Sequence, residues 1–234
     1  MKKFHAINFE TDWDARSYYG MTALIVLNSR KLHNYTKSHK AYDLQLWSDK
    51  DIYTFFENFP DCATGRYHQK NPQKRPQVDY WDSTPIIIGS LCAIVTKRFI
   101  DVMNDVGVSR DEYFIKEIKV DDDILYMLFV PYWDCDVIDY QQSEFYVEKY
   151  VFMGVERIPM RISSLEEYLM MLEKGSYPYP RFKKAVLHSE FQQKDIFRFS
   201  GGRYPCISER LFDALMQKGI KGFVTMDMEV FAED

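Results

Sequence analysis

The chain has 234 residues, of which 46% are hydrophobic, 28% charged and 16% aromatic, with a formal net charge of −5. That length and apolar content suffice for the core of one large domain or two small ones, and they argue against disorder. The mildly acidic balance disfavours non-specific nucleic-acid binding and suits a basic partner better than an acidic one. The opening Met-Lys-Lys-Phe-His-Ala-Ile-Asn-Phe-Glu is too short and polar a stretch for a signal peptide. The apolar runs Met21 to Leu27 and Ile124 to Pro131 fall short of the roughly 20 residues of a membrane-spanning helix. Cys62, Cys92, Cys135 and Cys206 form no Cys-x-x-Cys pair, so reduced thiols and a cytoplasmic location are expected.

In chain order, Phe4 to Phe9, Met21 to Leu27 and Asp43 to Trp47 read as strands, and Asp51 to Phe59 as a short helix stopped near Pro60. These make residues 1–60 a small β-rich lobe. Residues 61–84 turn to Gly, Gln, Asn, Pro and the basic Arg66, Lys70, Lys74 and Arg75, and read as an exposed connector. From 85 to 234 the pattern is that of an α+β domain. Pro85 to Val95 contains a strand, and Thr96 caps a helix whose Phe99, Ile100, Met103 and Val106 share a face before the Gly107 stop. Strands follow at Tyr113 to Val120, Ile124 to Val130, Glu144 to Met153 and Val155 to Ile162, the first two joined at Asp121-Asp122-Asp123. Ser164-Leu165-Glu166-Glu167 is a capping box opening a helix that runs to Gly175. Strands near Ala185 to His188 and Asp195 to Phe199, a Gly201-Gly202 turn, a helix from Glu209 to Lys218 and a strand from Gly222 to Phe231 complete the chain. The fold class expected is therefore α+β, mainly antiparallel, with three or four short helices.

A shift of 112 residues sets Thr96-Lys97-Arg98-Phe99-Ile100-Asp101 against Ser208-Glu209-Arg210-Leu211-Phe212-Asp213. Met103 then meets Leu215, Gly107 meets Gly219 and Val108 meets Ile220. Both copies spell a strand, hydroxyl cap, helix, Gly stop and strand. Duplication and shared capping rules both account for this likeness. Arg98 with Asp101, and Arg210 with Asp213, are three residues apart and are expected to pair within their own helices.

Four further stretches share an order with something known: Ile94-Val95-Thr96-Lys97-Arg98-Phe99; Tyr126 in an apolar strand; Asp136-Val137-Ile138-Asp139-Tyr140-Gln141-Gln142-Ser143; and Ile196-Phe197-Arg198-Phe199 before Cys206-Ile207-Ser208-Glu209-Arg210-Leu211. This order resembles a bacterial immunity-protein family of polymorphic toxin systems, the one named after a myxobacterial protein, over about residues 85 to 225. The resemblance implies a protein without chemistry of its own that binds and neutralises a toxin delivered by a neighbouring cell. Residues 1–84 carry no such likeness.

The segment Tyr132, Trp133, Asp134, Asp136, Asp139, Tyr140 and Ser143 is the expected partner-binding surface. Tyr and Trp supply hot-spot area, and carboxylates complement a basic site such as a nuclease's. The alternative is an enzyme or a small-ligand or metal-binding domain that uses the Asp134-Asp136-Asp139 loop, because closely spaced carboxylates can hold a hard cation. His5, His33, His39, His68 and His188 show no zinc spacing, and a Cys62–His68 nucleophile pair lacks an orienting third residue. The P-loop and dinucleotide glycine fingerprints are missing. The reading is thus a non-enzymatic binding protein with no cofactor and no nucleic-acid or membrane partner; the sequence leaves its oligomeric state open.

Overall fold

The computed structural model describes residues 1–9, 25–27, 58, 64–67, 78–82, 92–152, 154–173, 179–199 and 204–234. The expected strand at Asp43 to Trp47, the Asp51 to Phe59 helix apart from Asn58, the Gly175 stop and the Gly201-Gly202 turn lie outside them.

The strands are β1 (Lys2–Phe9), β2 (Ile25–Leu27), β3 (Thr64–Tyr67), β4 (Tyr80–Asp82), β5 (Cys92–Val95), β6 (Phe114–Val120), β7 (Asp123–Phe129), β8 (Tyr132–Trp133), β9 (Glu144–Val151), β10 (Gly154–Met160), β11 (Arg181–Leu187), β12 (Ile196–Phe199), β13 (Cys206–Ser208) and β14 (Phe223–Ala232). The helices are α1 (Lys97–Val106), α2 (Leu165–Glu173) and α3 (Glu209–Gln217). One sheet runs β10-β9-β11-β14-β1-β13-β12-β8 and the other β2-β3-β6-β7-β5-β4. Only β11–β14, β12–β8 and β3–β6 are parallel among these neighbours. The α+β, mainly antiparallel class is what the sequence pattern led one to expect.

The helix ends follow the capping rules. Thr96 Oγ1 accepts from Phe99 N at 3.3 Å, and Ser208 Oγ accepts from Leu211 N at 3.3 Å. At the other ends Gly107 (φ 78°) and Gly219 (φ 64°) adopt the left-handed conformation that favours glycine. Each closes a matched pair of bonds, Gly107 N to Asn104 O and Val108 N to Met103 O in α1, Gly219 N to Met216 O and Ile220 N to Leu215 O in α3, all at 3.0 Å. In α2, Ser164 Oγ accepts from Glu167 N at 3.2 Å, while the Glu167 carboxylate reaches one residue further back than a capping box requires, to Ser163 N at 2.8 Å.

The repeat extends well beyond the helices. A β4–β5 hairpin leads into α1 and then β6, and a β12–β13 hairpin leads into α3 and then β14. At the shift of 112 the buried Ile118 and Val120 of β6 meet the buried Val230 and Ala232 of β14. In the first unit β7 fills the place between β6 and β5; in the second, β1 fills the place between β14 and β13. Hence Lys2–Phe9, expected within a separate N-terminal lobe, is an inner strand of the eight-stranded sheet. Its buried Phe4 and Ala6 face one core, with α2, while Ile7 faces a second core that holds Phe99, Met103, Leu211 and Leu215 of α1 and α3.

Two expectations about charges and linkers are corrected. Residues 61–84, read as a connector, contain β3 and β4 and the buried Asp79 and Tyr80. Nor does either helical Arg pair within its own helix. Lys97 takes Asp101, at 2.7 Å, because a spacing of four brings those side chains together. Arg98 instead reaches Asp79 Oδ2 at 3.3 Å, and Arg210 donates from Nε to Asp195 Oδ1 at 2.8 Å with a second bond from Nη2 to Oδ2. Each Asp stands just before the hairpin and also accepts the capping hydroxyl: Thr96 Oγ1 donates to Asp79 Oδ1 at 2.8 Å and Ser208 Oγ to Asp195 Oδ1 at 2.6 Å. Backbone bonds from Thr96 N to Asp79 O and from Ser208 N to Asp195 O complete each clamp.

The two clamps are cross-braced. Asp79 N donates to Lys221 O beyond α3, while Asp195 N and Ile196 N donate to Glu112 Oε2, beyond α1, at 2.8 and 2.9 Å. Burial pushes the Asp195 carboxyl up, but the hydrogen bonds from Arg210 and Ser208 outweigh it and hold the group below the usual carboxylate range. A depressed folded value means stability that is complete above the unfolded Asp value of about 3.9 and is lost as the pH falls through the folded value. We therefore expect Asp195→Asn to lower unfolding stability at pH 7 by about 2–3 kcal/mol and to flatten the acid limb of the stability–pH curve. Urea unfolding of both proteins between pH 2 and 7 measures this; parallel curves would show that Asp195 is not the group responsible.

Candidate binding surface

The segment from Tyr132 to Ser143 runs from the β8 edge of the eight-stranded sheet to the start of β9. Of Tyr132 the backbone place in β8, opposite Arg198, is described. Trp133 is half-buried: its ring meets Phe191 edge-on at 5.2 Å and carries the Lys194 ammonium 5.6 Å above its face. A 3-10 turn at Cys135–Val137 then sorts the side chains by polarity. Cys135 and Val137 point into the core, and Asp134 and Asp136 are exposed.

The backbone of this turn is pinned from three sides. The buried Tyr140 donates its hydroxyl to Cys135 O at 3.0 Å, His188 N donates to Val137 O at 3.0 Å, and His188 Nε2 lies 3.1 Å from Asp136 O. Tyr140 is stacked on Phe145 with centroids 5.9 Å apart, and burial pushes its phenol well above the ordinary tyrosine range. Its ring is thus part of the core, which corrects the expectation that it offers contact area to a partner.

Asp139 and Ser143 are likewise used by the chain itself. Asp139 Oδ1 accepts from Gln141 N at 2.7 Å and Gln142 N at 3.1 Å, and Oδ2 accepts from Gln142 Nε2 at 2.8 Å. Ser143 Oγ donates to Asp139 O at 2.6 Å and accepts from Val186 N at 3.0 Å, which ties the loop to β11. Gln142 Nε2 also reaches Glu233 Oε1 at 2.9 Å. A hydrogen bond between the two carboxyls pushes Glu233 up; Asp139, raised by desolvation, is brought below its ordinary value by the bonds from Glu233 and Gln142. Among the described residues no three His, Cys, Asp or Glu side chains come together as a metal site. The Asp134-Asp136-Asp139 loop therefore supplies no convergent donor set, since Asp139 faces its own turn while Asp134 and Asp136 point outward.

A second surface was not singled out from the sequence. Strands β9 and β10 pair in register along their whole length, from Met160 opposite Phe145 to Gly154 opposite Val151. Yet β9 pairs with β11 only over Glu144 to Tyr146. From Val147 to Ile158 the hairpin is, among the described residues, a two-stranded arm beyond the sheet. Phe152 at its turn is fully exposed, and Val151, Val155 and Ile158 are exposed as well. The sequence signal was present: both strands were legible, and the turn between them carries Phe152 where hairpin turns favour Asn, Asp or Gly.

No family model matches the chain, and no curated protein matches it.

Because Tyr140 is a core residue, Tyr140→Ala should cost about 3–5 kcal/mol of stability and Tyr140→Phe about 1 kcal/mol, while Asp134→Ala should stay within about 0.5 kcal/mol of the unaltered chain. Chemical unfolding of the three variants checks the order; a Tyr140→Ala variant as stable as Asp134→Ala would contradict it.

Proposed function

We propose that this chain is a cytoplasmic bacterial immunity protein that binds a cognate toxin one-to-one and neutralises it without chemistry of its own. The order of motifs along residues 85–225 supports the family, and the ledge at 134–137 supports the mode of action. The observation that carries the reading is the display of Asp134 and Asp136. Their carboxylates are exposed and, among the described residues, enter no ion pair within the chain, while the intervening Cys135 and the following Val137 anchor the turn in the core. Two negative charges on a backbone already held by Tyr140 and His188 lose little freedom on meeting a basic surface, so the cost of ordering them on binding is small. They also speed encounter with a basic partner and select against an acidic one.

The toxin expected is the product of the neighbouring gene. Purified with this chain it should form a one-to-one complex, and cells that express both should survive. Asp134→Lys combined with Asp136→Lys should weaken the complex by roughly 10- to 100-fold at physiological salt, mainly through the association rate, and leave the melting temperature of the free protein unchanged. Stopped-flow association and a co-expression survival assay read both effects; unaltered affinity in the double variant would remove the ledge from the interface.

A further inference from the structure

We propose that the β9–β10 arm is an insertion finger whose tip, centred on Phe152, seats in an uncharged apolar cleft of the partner protein; this rests on the chain being a toxin-binding protein. A free two-stranded hairpin is marginal in water, so an arm that leaves its sheet needs support at the base. The support is visible: Arg181 Nη2 contacts Glu148 Oε2 at 3.1 Å, Arg157 pairs with Asp227 of β14, and the Arg157 guanidinium lies 5.0 Å above the Tyr146 ring. These contacts tie the base of the arm, at Glu148 and Arg157, to the first residue of β11 and to β14.

Among the described residues its tip exposes apolar side chains on both faces. Strand residues alternate, and Val151 stands opposite Gly154 while Val155 stands opposite Tyr150, so Val151 and Val155 lie on opposite faces with Phe152 between them at the turn. Docking flat on a surface would cover one of those faces. A cleft covers both. The charges point to the character of that cleft. Glu156 stands opposite Lys149 and Arg157 opposite Glu148, so the arm neutralises itself in register, and from Tyr150 to Val155 the sequence holds no charged residue. Nothing at the tip complements a phosphate or a charged rim.

The same features disfavour other occupants. A second copy would add to the outer edge of β10, where Pro159 offers no N–H and Glu156 and Arg157 place charges, the usual safeguards against edge-to-edge pairing. An anionic bilayer would call for basic residues around the apolar tip, whereas the arm is neutral and the chain carries −5.

The test compares the full chain with Phe152→Asp and Phe152→Leu, titrated against the purified toxin of the neighbouring gene. Because Phe152 is fully exposed, neither substitution should shift the melting temperature by more than about 2 °C. Phe152→Asp should weaken binding about 100-fold with the same loss at low and high salt, and Phe152→Leu should stay within about fivefold of the unaltered chain. If Phe152→Asp binds within twofold while the Asp134 and Asp136 charge reversal weakens the complex, the finger is wrong and the immunity reading stands. If the unaltered chain binds no toxin, both fall. Dimerisation of the free chain in sedimentation, abolished by Phe152→Asp, would assign the arm to a second copy. Co-sedimentation with phosphatidylcholine–phosphatidylserine vesicles, abolished by the same change, would assign it to a bilayer. Either result overturns the proposal.

Discussion

The buried carboxylate of Asp195 is the constraint from which the rest of the scaffold can be followed. Left without partners it would cost several kcal/mol, and it is satisfied only when the β12–β13 hairpin, the Ser208 cap and the Arg210 fork arrive together. Its own backbone N–H and that of Ile196 reach Glu112, which follows α1, so closing this clamp also fixes the first repeated unit against the second. Asp79 repeats the arrangement with Thr96 and Arg98, and its N–H reaches Lys221 beyond α3. Two clamps, each braced by the segment after the other's helix, place α1 and α3 over a common core and orient both sheets.

How much of this was legible follows from range in sequence. Caps, stops and helix faces are set within a few residues, and Thr96, Gly107, Ser208 and Gly219 could be read directly. The clamps could not, because their hairpins differ in length: Asp79 precedes Thr96 by 17 residues and Asp195 precedes Ser208 by 13. A constant shift of 112 therefore sets Asp79 against Phe191 and hides the match, which left the two Arg residues to be assigned to nearby Asp residues. The strand at Phe4 to Phe9 was legible, but its place in the second unit was hidden for a stronger reason. The strand completing the second unit comes from the opposite end of the chain, and local composition carries no trace of a pairing between Phe4 and Val230.

The segment from Tyr132 to Ser143 was legible in its polarity and not in its packing. Alternation of Asp with Cys and Val across 134–137 fits a turn with one wet and one dry side, as found. Tyr140 and Ser143 are ambiguous types: an aromatic ring serves a core or an interface equally well, and a hydroxyl splints a loop as readily as it meets a partner. The structure gives both to the interior framework. What remains outward is a rigid pair of acids at one place and an apolar arm at another. In the proposed reading the first steers a basic partner and the second anchors it, a division of labour common where charge sets the encounter and buried aromatic area sets the lifetime.

The most direct test of this separation of scaffold and display is hydrogen–deuterium exchange of the chain alone and saturated with the proposed partner, the toxin of the neighbouring gene. Protection should rise at 134–137 and 147–158 and stay unchanged in α1, α3 and the hairpins that carry Asp79 and Asp195. Strong new protection over α1 and α3, with the ledge and arm unaffected, would contradict the account.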